Sequence, residues 1–270
     1  MTAPFSLILD CDGVLADTER NGHLPSFNAA FTELGVPMRW SEDDYAELVL
    51  IGGGKERIAA ALRDPRYWSS DTGPRSDGDF DDQVRVIHAV KTRIYKQMVV
   101  DGAMPARPGV ARVIRSTLDA GWNVAVASTS AAESVTAVLK SVIGEQDTLR
   151  VPVFAGDAVA AKKPAPDIYL LALDGIDAEP TATIVIEDSA MGLRAATAAG
   201  LPCLVTTSSY TVEEDFTGSA AVVTCLGDDA HPAVVRSDPL NSGISDRIDI
   251  DTLERLIDLS NSRSHSGGPR

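Results

Sequence analysis

The chain has 270 residues, enough to bury a full core in one large domain or two modest ones. Thirty-nine Asp and Glu against 24 Lys and Arg leave a formal net charge of -15, a field that disfavours nucleic acid and anionic lipid as partners. Three widely spaced cysteines, Cys11, Cys203 and Cys225, make no C-x-x-C pair, which argues against a disulfide scaffold or a cysteine zinc site. With no apolar run of roughly 18 residues and no basic-flanked apolar leader, the expected protein is cytoplasmic and without a membrane partner; it is also expected to be a monomer. A plastid stromal location would require a transit peptide to have been removed.

Phe5 to Leu9 reads as a first strand, stopped by Asp10-Cys11-Asp12-Gly13-Val14-Leu15. Strand alternation aims Asp10 and Asp12 the same way. Two such carboxylates imply a cation between them or opposed protonation states. Cys11 then points away, as core filler. Asp17 or Thr18 is placed to cap a helical pattern running to Leu34, started or kinked near Pro25. A second short helix is expected from Ser41 to Leu50, and a third, Ile58 to Leu62, follows Gly52-Gly53-Gly54-Lys55-Glu56-Arg57. Glycines beside cations fit an anion-binding turn, although a solvated hinge has the same composition. Residues 64–82 read as a polar loop, and Val86, Ile87, Val90, Ile94 and Met98 line a long amphipathic helix.

After Met104 the pattern alternates. Strands are expected at Trp122 to Ser128, Val151 to Ala155, Ala182 to Ile186, Cys203 to Thr207 and Ala220 to Thr224. Helices are expected around Val110 to Leu118, Ser134 to Val142, Ile168 to Leu173, Gly192 to Ala199 and Ile250 to Leu259, before a disordered 260–270 tail. The implied fold is α/β, a Rossmann-like, doubly wound, mainly parallel sheet built from 1–17 and 99–259, with residues 18–98 inserted as an all-helical cap. Ligands of such sheets collect beyond the carboxyl ends of the strands.

Those ends carry Asp10 and Asp12, Ser128-Thr129-Ser130, Lys162-Lys163-Pro164, and Glu187-Asp188. Phosphoryl transfer needs carboxylates for a hard cation, donors for three equatorial oxygens, and a nucleophile. An aspartate can attack phosphorus, and a second can move the leaving-group proton. Ser128 could equally just satisfy a strand end, and Thr129 and Ser130 compete as donors.

In these motifs the chain resembles the haloacid dehalogenase superfamily, in its phosphatase and phosphomutase branch. The resemblance makes Asp10 the nucleophile and Asp12 the acid/base. It gives Mg²⁺ to Asp10, the Asp12 carbonyl and Asp188, with Glu187 in the supporting shell, and the phosphoryl group to Ser128 and Lys163; Thr129 or Ser130 is a further phosphate donor that spacing does not choose between. It also makes residues 18–98 a C1-type cap whose closure excludes water. Cys11 to Leu15, Asp17 to Glu19, Gly22-His23, Ile51 to Arg57, Phe154 to Asp157, Lys162 to Tyr169 and Val185 to Ala190 resemble the CbbY subfamily, whose members are phosphatases of xylulose 1,5-bisphosphate. The implied partner is a sugar phosphate or bisphosphate. Lys55 and Arg57 would meet a second phosphate, and Glu19 and His23 the sugar hydroxyls, with Asn28 a weaker candidate. A phosphomutase of the β-phosphoglucomutase type and a silent sugar-phosphate-binding protein are the alternatives.

Overall fold

The computed structural model describes residues 4–51, 53–67, 77–156 and 158–266. Short apolar runs form the strands β1 (Ser6–Leu9), β2 (Asn123–Ser128), β3 (Val153–Ala155), β4 (Thr183–Glu187), β5 (Cys203–Thr206), β6 (Ala221–Val223) and β7 (Val235–Ser237). They make one sheet of order β3-β2-β1-β4-β5-β6-β7. Every pairing from β3 to β6 is parallel, and β7 joins antiparallel. In register, Leu9 lies between Val126 and Ile186, so the residues after β1, β2 and β4 emerge side by side. β1 and β4 are buried throughout, as a sheet covered on both faces requires.

The helices are α1 (Leu24–Glu33), α2 (Glu42–Leu48), α3 (Gly54–Arg63), α4 (Asp77–Val100), α5 (Val110–Asp119), α6 (Ala132–Ile143), α7 (Glu145–Thr148), α8 (Asp167–Gly175), α9 (Ala190–Ala198) and α10 (Ile250–Ser266). The chain divides into two compact units, Met1–Asp17 with Pro105–Arg270, and Thr18–Met104. The first holds the sheet with α5 to α10. The second is helical, and it returns to the sheet unit at Pro105, later than the residue 99 expected from the apolar pattern.

The helical unit packs on aromatic rings. Phe27, Phe31, Trp40 and Tyr45 are fully or almost fully buried, with Phe27 and Trp40 centroids 4.7 Å apart. Ser41 caps α2 reciprocally: Asp44 N–H donates to Ser41 Oγ at 3.1 Å, and Ser41 N–H to Asp44 Oδ2 at 2.8 Å. Pro25 sits in the first turn of α1, where its missing N–H costs nothing.

Three local expectations are corrected, and one strand is unexpected. Thr18 makes no side-chain cap bond and precedes a π-helical turn, Glu19–His23, while Asp17 accepts from Ser209 Oγ instead. α4 begins at Asp77, inside the segment read as loop; residues 68–76 of that segment lie outside the described residues, as does Gly52. α10 continues to Ser266, with Ser260 Oγ bonding back to Leu256 O and Ser262 Oγ to Asp258 O, and Asn261 Nδ2 donating to Thr181 O at 2.7 Å. β7 was not anticipated, since three exposed residues carry no periodic signal.

Asn28, considered for substrate, ties the Trp40 backbone instead. It donates to Trp40 O and accepts from Trp40 N–H, both at 2.8 Å. Asn28→Ala strands both groups and is expected to cost about 1–3 kcal/mol in denaturant unfolding; a loss below about 0.5 kcal/mol would contradict this role.

Candidate active site

The site is built at the carboxyl edge of the sheet. Asp10 follows β1 directly, its N–H donating to Ile186 O at 3.0 Å. Gly13 then turns the chain at φ +75°, a left-handed conformation that glycine tolerates. A Cβ there would overlap the Asp188 carboxylate, so the turn must lie against that side chain. Asp12 accepts a hydrogen bond from Ser130 Oγ. Ser128 is buried, and its Oγ accepts from Ser130 N–H at 3.1 Å, while Thr129 is exposed. Of the two competing donors, Ser130 is therefore the one brought to the aspartates.

Lys163 is the hub. Its Nζ donates to Asp10 Oδ1 at 2.7 Å, Glu187 Oε1 at 2.6 Å and Ala127 O at 3.1 Å, with its side chain 7% exposed. Lys162 is exposed. Glu187 also accepts from Tyr169 Oη on Oε1 and from Asp188 N–H on Oε2. These donors fix Glu187 as a support for Lys163. A Cβ at Gly192 would overlap the same carboxylate, so α9 carries glycine at that position.

Asp10, Glu187 and Asp188 each offer an oxygen within 4.8 Å of the others, and all three residues are buried. Burial, the largest cause, raises Asp10 to about 7, helped by Glu187 and Asp12 and opposed by Lys163. Burial, then Glu187 and Asp10, raises Asp188 well above the usual carboxylate range. Lys163 is raised by Asp10 and Glu187 in spite of its desolvation. Three buried carboxylates against one lysine leave a negative excess that a cation would neutralise. An all-oxygen donor set of this kind fits a hard divalent ion.

The helical unit has its own polar cluster. Arg57 donates through Nη1 to Glu19 Oε2 at 3.1 Å and to Tyr45 Oη at 2.7 Å. Its Nε reaches Ile51 O at 2.9 Å, and Nη2 reaches Glu19 Oε1 and Val49 O, both at 3.3 Å. Tyr45 Oη donates to Glu19 Oε2 at 2.5 Å. Arg57 was expected to meet a phosphate, but its donors are taken up in orienting Glu19. Lys55 is exposed at the start of α3. His23 Nδ1 lies 2.7 Å from Lys91 Nζ and stacks on Tyr95 at 4.2 Å. Lys91 is buried, with Nζ 4.7 Å from the Phe27 ring centre.

Sequence reasoning missed Tyr45, Lys91 and Tyr169 as members of polar clusters. Tyr169 stands in the quoted Lys162 to Tyr169 run, so its motif was visible and its partner was not. Tyr45 and Lys91 sit on amphipathic helices, where nothing in the spacing separates them from packing or solvated residues.

Residues 6–200 match the family model of the haloacid dehalogenase-like hydrolases. A CBBY-like protein of Arabidopsis thaliana is 41% identical over 227 residues, 84% of this chain and 70% of the relative. Protein CbbY of Cupriavidus necator is 38% identical, covering 84% and 87%. A crystal structure of mutant CbbY from Rhodobacter sphaeroides in complex with xylulose-(1,5)bisphosphate superposes with a TM-score of 0.69. It is 37% identical and covers 84% of this chain and 98% of that one.

The raised Asp10 sets a pH dependence. The folded protein holds that proton more tightly than the unfolded chain does, so its contribution is full below about pH 4 and is lost as pH rises through about 7. Metal-free protein is expected to melt at a lower temperature at pH 8 than at about pH 5.5, and Mg²⁺ to raise the melting temperature more at the higher pH. Equal Mg²⁺ stabilisation at both would contradict the charge assignment. Tyr169→Phe, which removes one donor from Glu187, is expected to lower kcat by about tenfold with KM little changed; unchanged kcat would leave Tyr169 a packing residue.

Proposed function

The chain belongs to the haloacid dehalogenase-like hydrolases, in their CbbY-type branch, and from that membership we propose a Mg²⁺-dependent phosphatase of xylulose 1,5-bisphosphate or a closely similar sugar bisphosphate. The observation that carries this reading is the cluster Asp10, Glu187 and Asp188, three buried carboxylates of which two share Lys163. Asp10, Asp188 and the Asp12 carbonyl would hold the ion, which when bound supplies positive charge against the phosphoryl oxygens.

Asp10 attacks phosphorus, forming an aspartyl phosphate as the ester P–O bond breaks. Asp12 gives its proton to the departing sugar alkoxide, then takes one from the water that releases phosphate. Ser130 orients Asp12 through its hydroxyl. Lys163 steadies Asp10 between turnovers and meets a phosphoryl oxygen during transfer, while Glu187 and Tyr169 hold the ammonium in place. Ser128 holds Ser130 through its backbone N–H. Lys55 is assigned to the second phosphate, and Arg57 to fixing Glu19 for the sugar hydroxyls.

Phosphate release from pentulose and hexose mono- and bisphosphates, with Mg²⁺ and then with chelator, tests the reading. Release from the pentulose bisphosphate, abolished by chelator, is expected; interconversion of sugar phosphate isomers without release would favour the mutase instead. Asp10→Asn is expected to leave the fold intact and activity below about 1% of the parent. Lys55→Ala is expected to impair bisphosphates by about tenfold more than monophosphates, and equal losses would remove Lys55 from the second phosphate.

A further inference from the structure

Arg107 lies outside every motif that the phosphatase reading uses, yet its guanidinium ends beneath the site. Nη1 donates to Gly13 O and, at 2.9 Å, to Thr206 O. Nη2 donates to Thr207 O at 2.7 Å and Thr224 O at 2.6 Å. A longer bond from Nη1 reaches Thr206 Oγ1 at 3.4 Å. Four carbonyl oxygens from three segments thus converge on one planar fork: the turn after Asp12, the end of β5, and the residue after β6. Arginine commonly pairs with a carboxylate or phosphate when desolvated. Here it is spent on backbone.

Its own backbone is tied to the same turn. Arg107 N–H donates to Leu15 O at 3.0 Å, and Ala106 bridges Ala16 in antiparallel fashion. Gly13 N–H in turn donates to Ala16 O at 2.9 Å. Arg107 therefore holds this turn twice, at Gly13 through its side chain and at Leu15 through its backbone. Gly13 lies so close to Asp188 that no side chain fits between them. Thr206 reaches the carbonyl of Glu187 through Oγ1 at 3.5 Å. A shift of the Gly13 turn would move the Asp12 carbonyl relative to the Asp188 carboxylate, the two ligands that close the proposed ion site. Asp188 and Asp17 lie within electrostatic reach of the guanidinium, opposing the lowering that burial imposes on it.

We propose that Arg107 is a positioning residue of the transfer centre, clamping the Gly13 turn to the ends of β5 and β6 so that the Asp12 carbonyl and Asp188 stand ready for the cation. The inference rests on the phosphatase reading and goes beyond it by naming what pre-organises the ion site. Loss of the clamp weakens metal binding and slows chemistry, while substrate affinity stays near its original value. Lysine keeps the charge but cannot span four carbonyls from one ammonium.

The test compares Arg107→Lys with Arg112→Lys in the full chain. Arg112 is a sound control because it too grips backbone carbonyls, Ile248 O, Leu226 O and Gly227 O at 2.8–2.9 Å, none of them in the site. Calorimetric titration of the metal-free proteins with Mg²⁺ alone is expected to show affinity about tenfold weaker in Arg107→Lys and unchanged in Arg112→Lys. Amide exchange at Gly13, Val14 and Leu15 is expected to quicken in Arg107→Lys only. Turnover should fall about tenfold, with KM within about twofold.

An Arg107→Lys protein with Mg²⁺ affinity within about twofold of the parent overturns the proposal, as does an equal loss in Arg112→Lys. Where Arg107→Lys does not fold, Arg107→Ala with added methylguanidinium takes its place; recovery of Mg²⁺ affinity supports the clamp, and binding no stronger than without the additive overturns it. A parent chain that neither binds Mg²⁺ nor releases phosphate overturns the phosphatase reading. A parent that does both, beside an unimpaired Arg107→Lys, overturns the clamp alone.

Discussion

One ammonium placed between two carboxylates sets the terms for the sheet unit. Lys163 Nζ stands 2.7 Å from Asp10 and 2.6 Å from Glu187 with almost no solvent access. Buried charges survive only when paired and hydrogen-bonded, and here the pairing is incomplete, because Asp188 adds a third carboxylate to the same volume. The parallel sheet makes such crowding possible. Adjacent strands end at the same level, so residues from β1, β4 and the segment before α8 meet at one place. Small residues permit the approach: glycine at 13 lies against Asp188, and glycine at 192 against Glu187.

The division of labour within the site follows from hydrogen-bond capacity. Glu187 already receives Lys163, Tyr169 and the Asp188 N–H, which leaves it a supporting part. Asp10 and Asp188, both raised first by burial and then by neighbouring carboxylates, Glu187 foremost, stand where a divalent ion would relieve the crowding. In the helical unit Arg57 is engaged in the same manner, its donors shared among Glu19, Tyr45 and two carbonyls. A cation that looks available in a Gly-Gly-Gly-Lys-Glu-Arg run can already be committed once its neighbours from other helices are in place.

That contrast explains what could be read before the structure. The strand ends were legible because each joins an apolar run to a residue type that an extended chain seldom buries: Asp10 after Leu9, Ser128 after Ala127, Glu187 after Ile186. The helical insertion was legible from its changed periodicity. β7 was not, since Val235–Ser237 is short and exposed and owes its existence to an open sheet edge. The ends of α4 and α10 have the polar composition of a loop, and in α10 the bond from Asn261 to Thr181 O that ties down the last turns is a tertiary contact. Partnerships across long sequence separations, such as Tyr45 with Glu19 or Arg107 with Gly13, leave no periodic trace. Tertiary contact alone creates them.

The first aspartate must form a bond to phosphorus for this chemistry to run. Rapid acid quench of a single turnover, followed by mass analysis of the peptide spanning Ser6 to Leu15, tests this directly. One phosphoryl group on Asp10 that appears and decays at rates matching turnover is the predicted result. Full phosphate release with no phosphorylated Asp10 at any quench time, or a phosphoryl group on another residue, would contradict it.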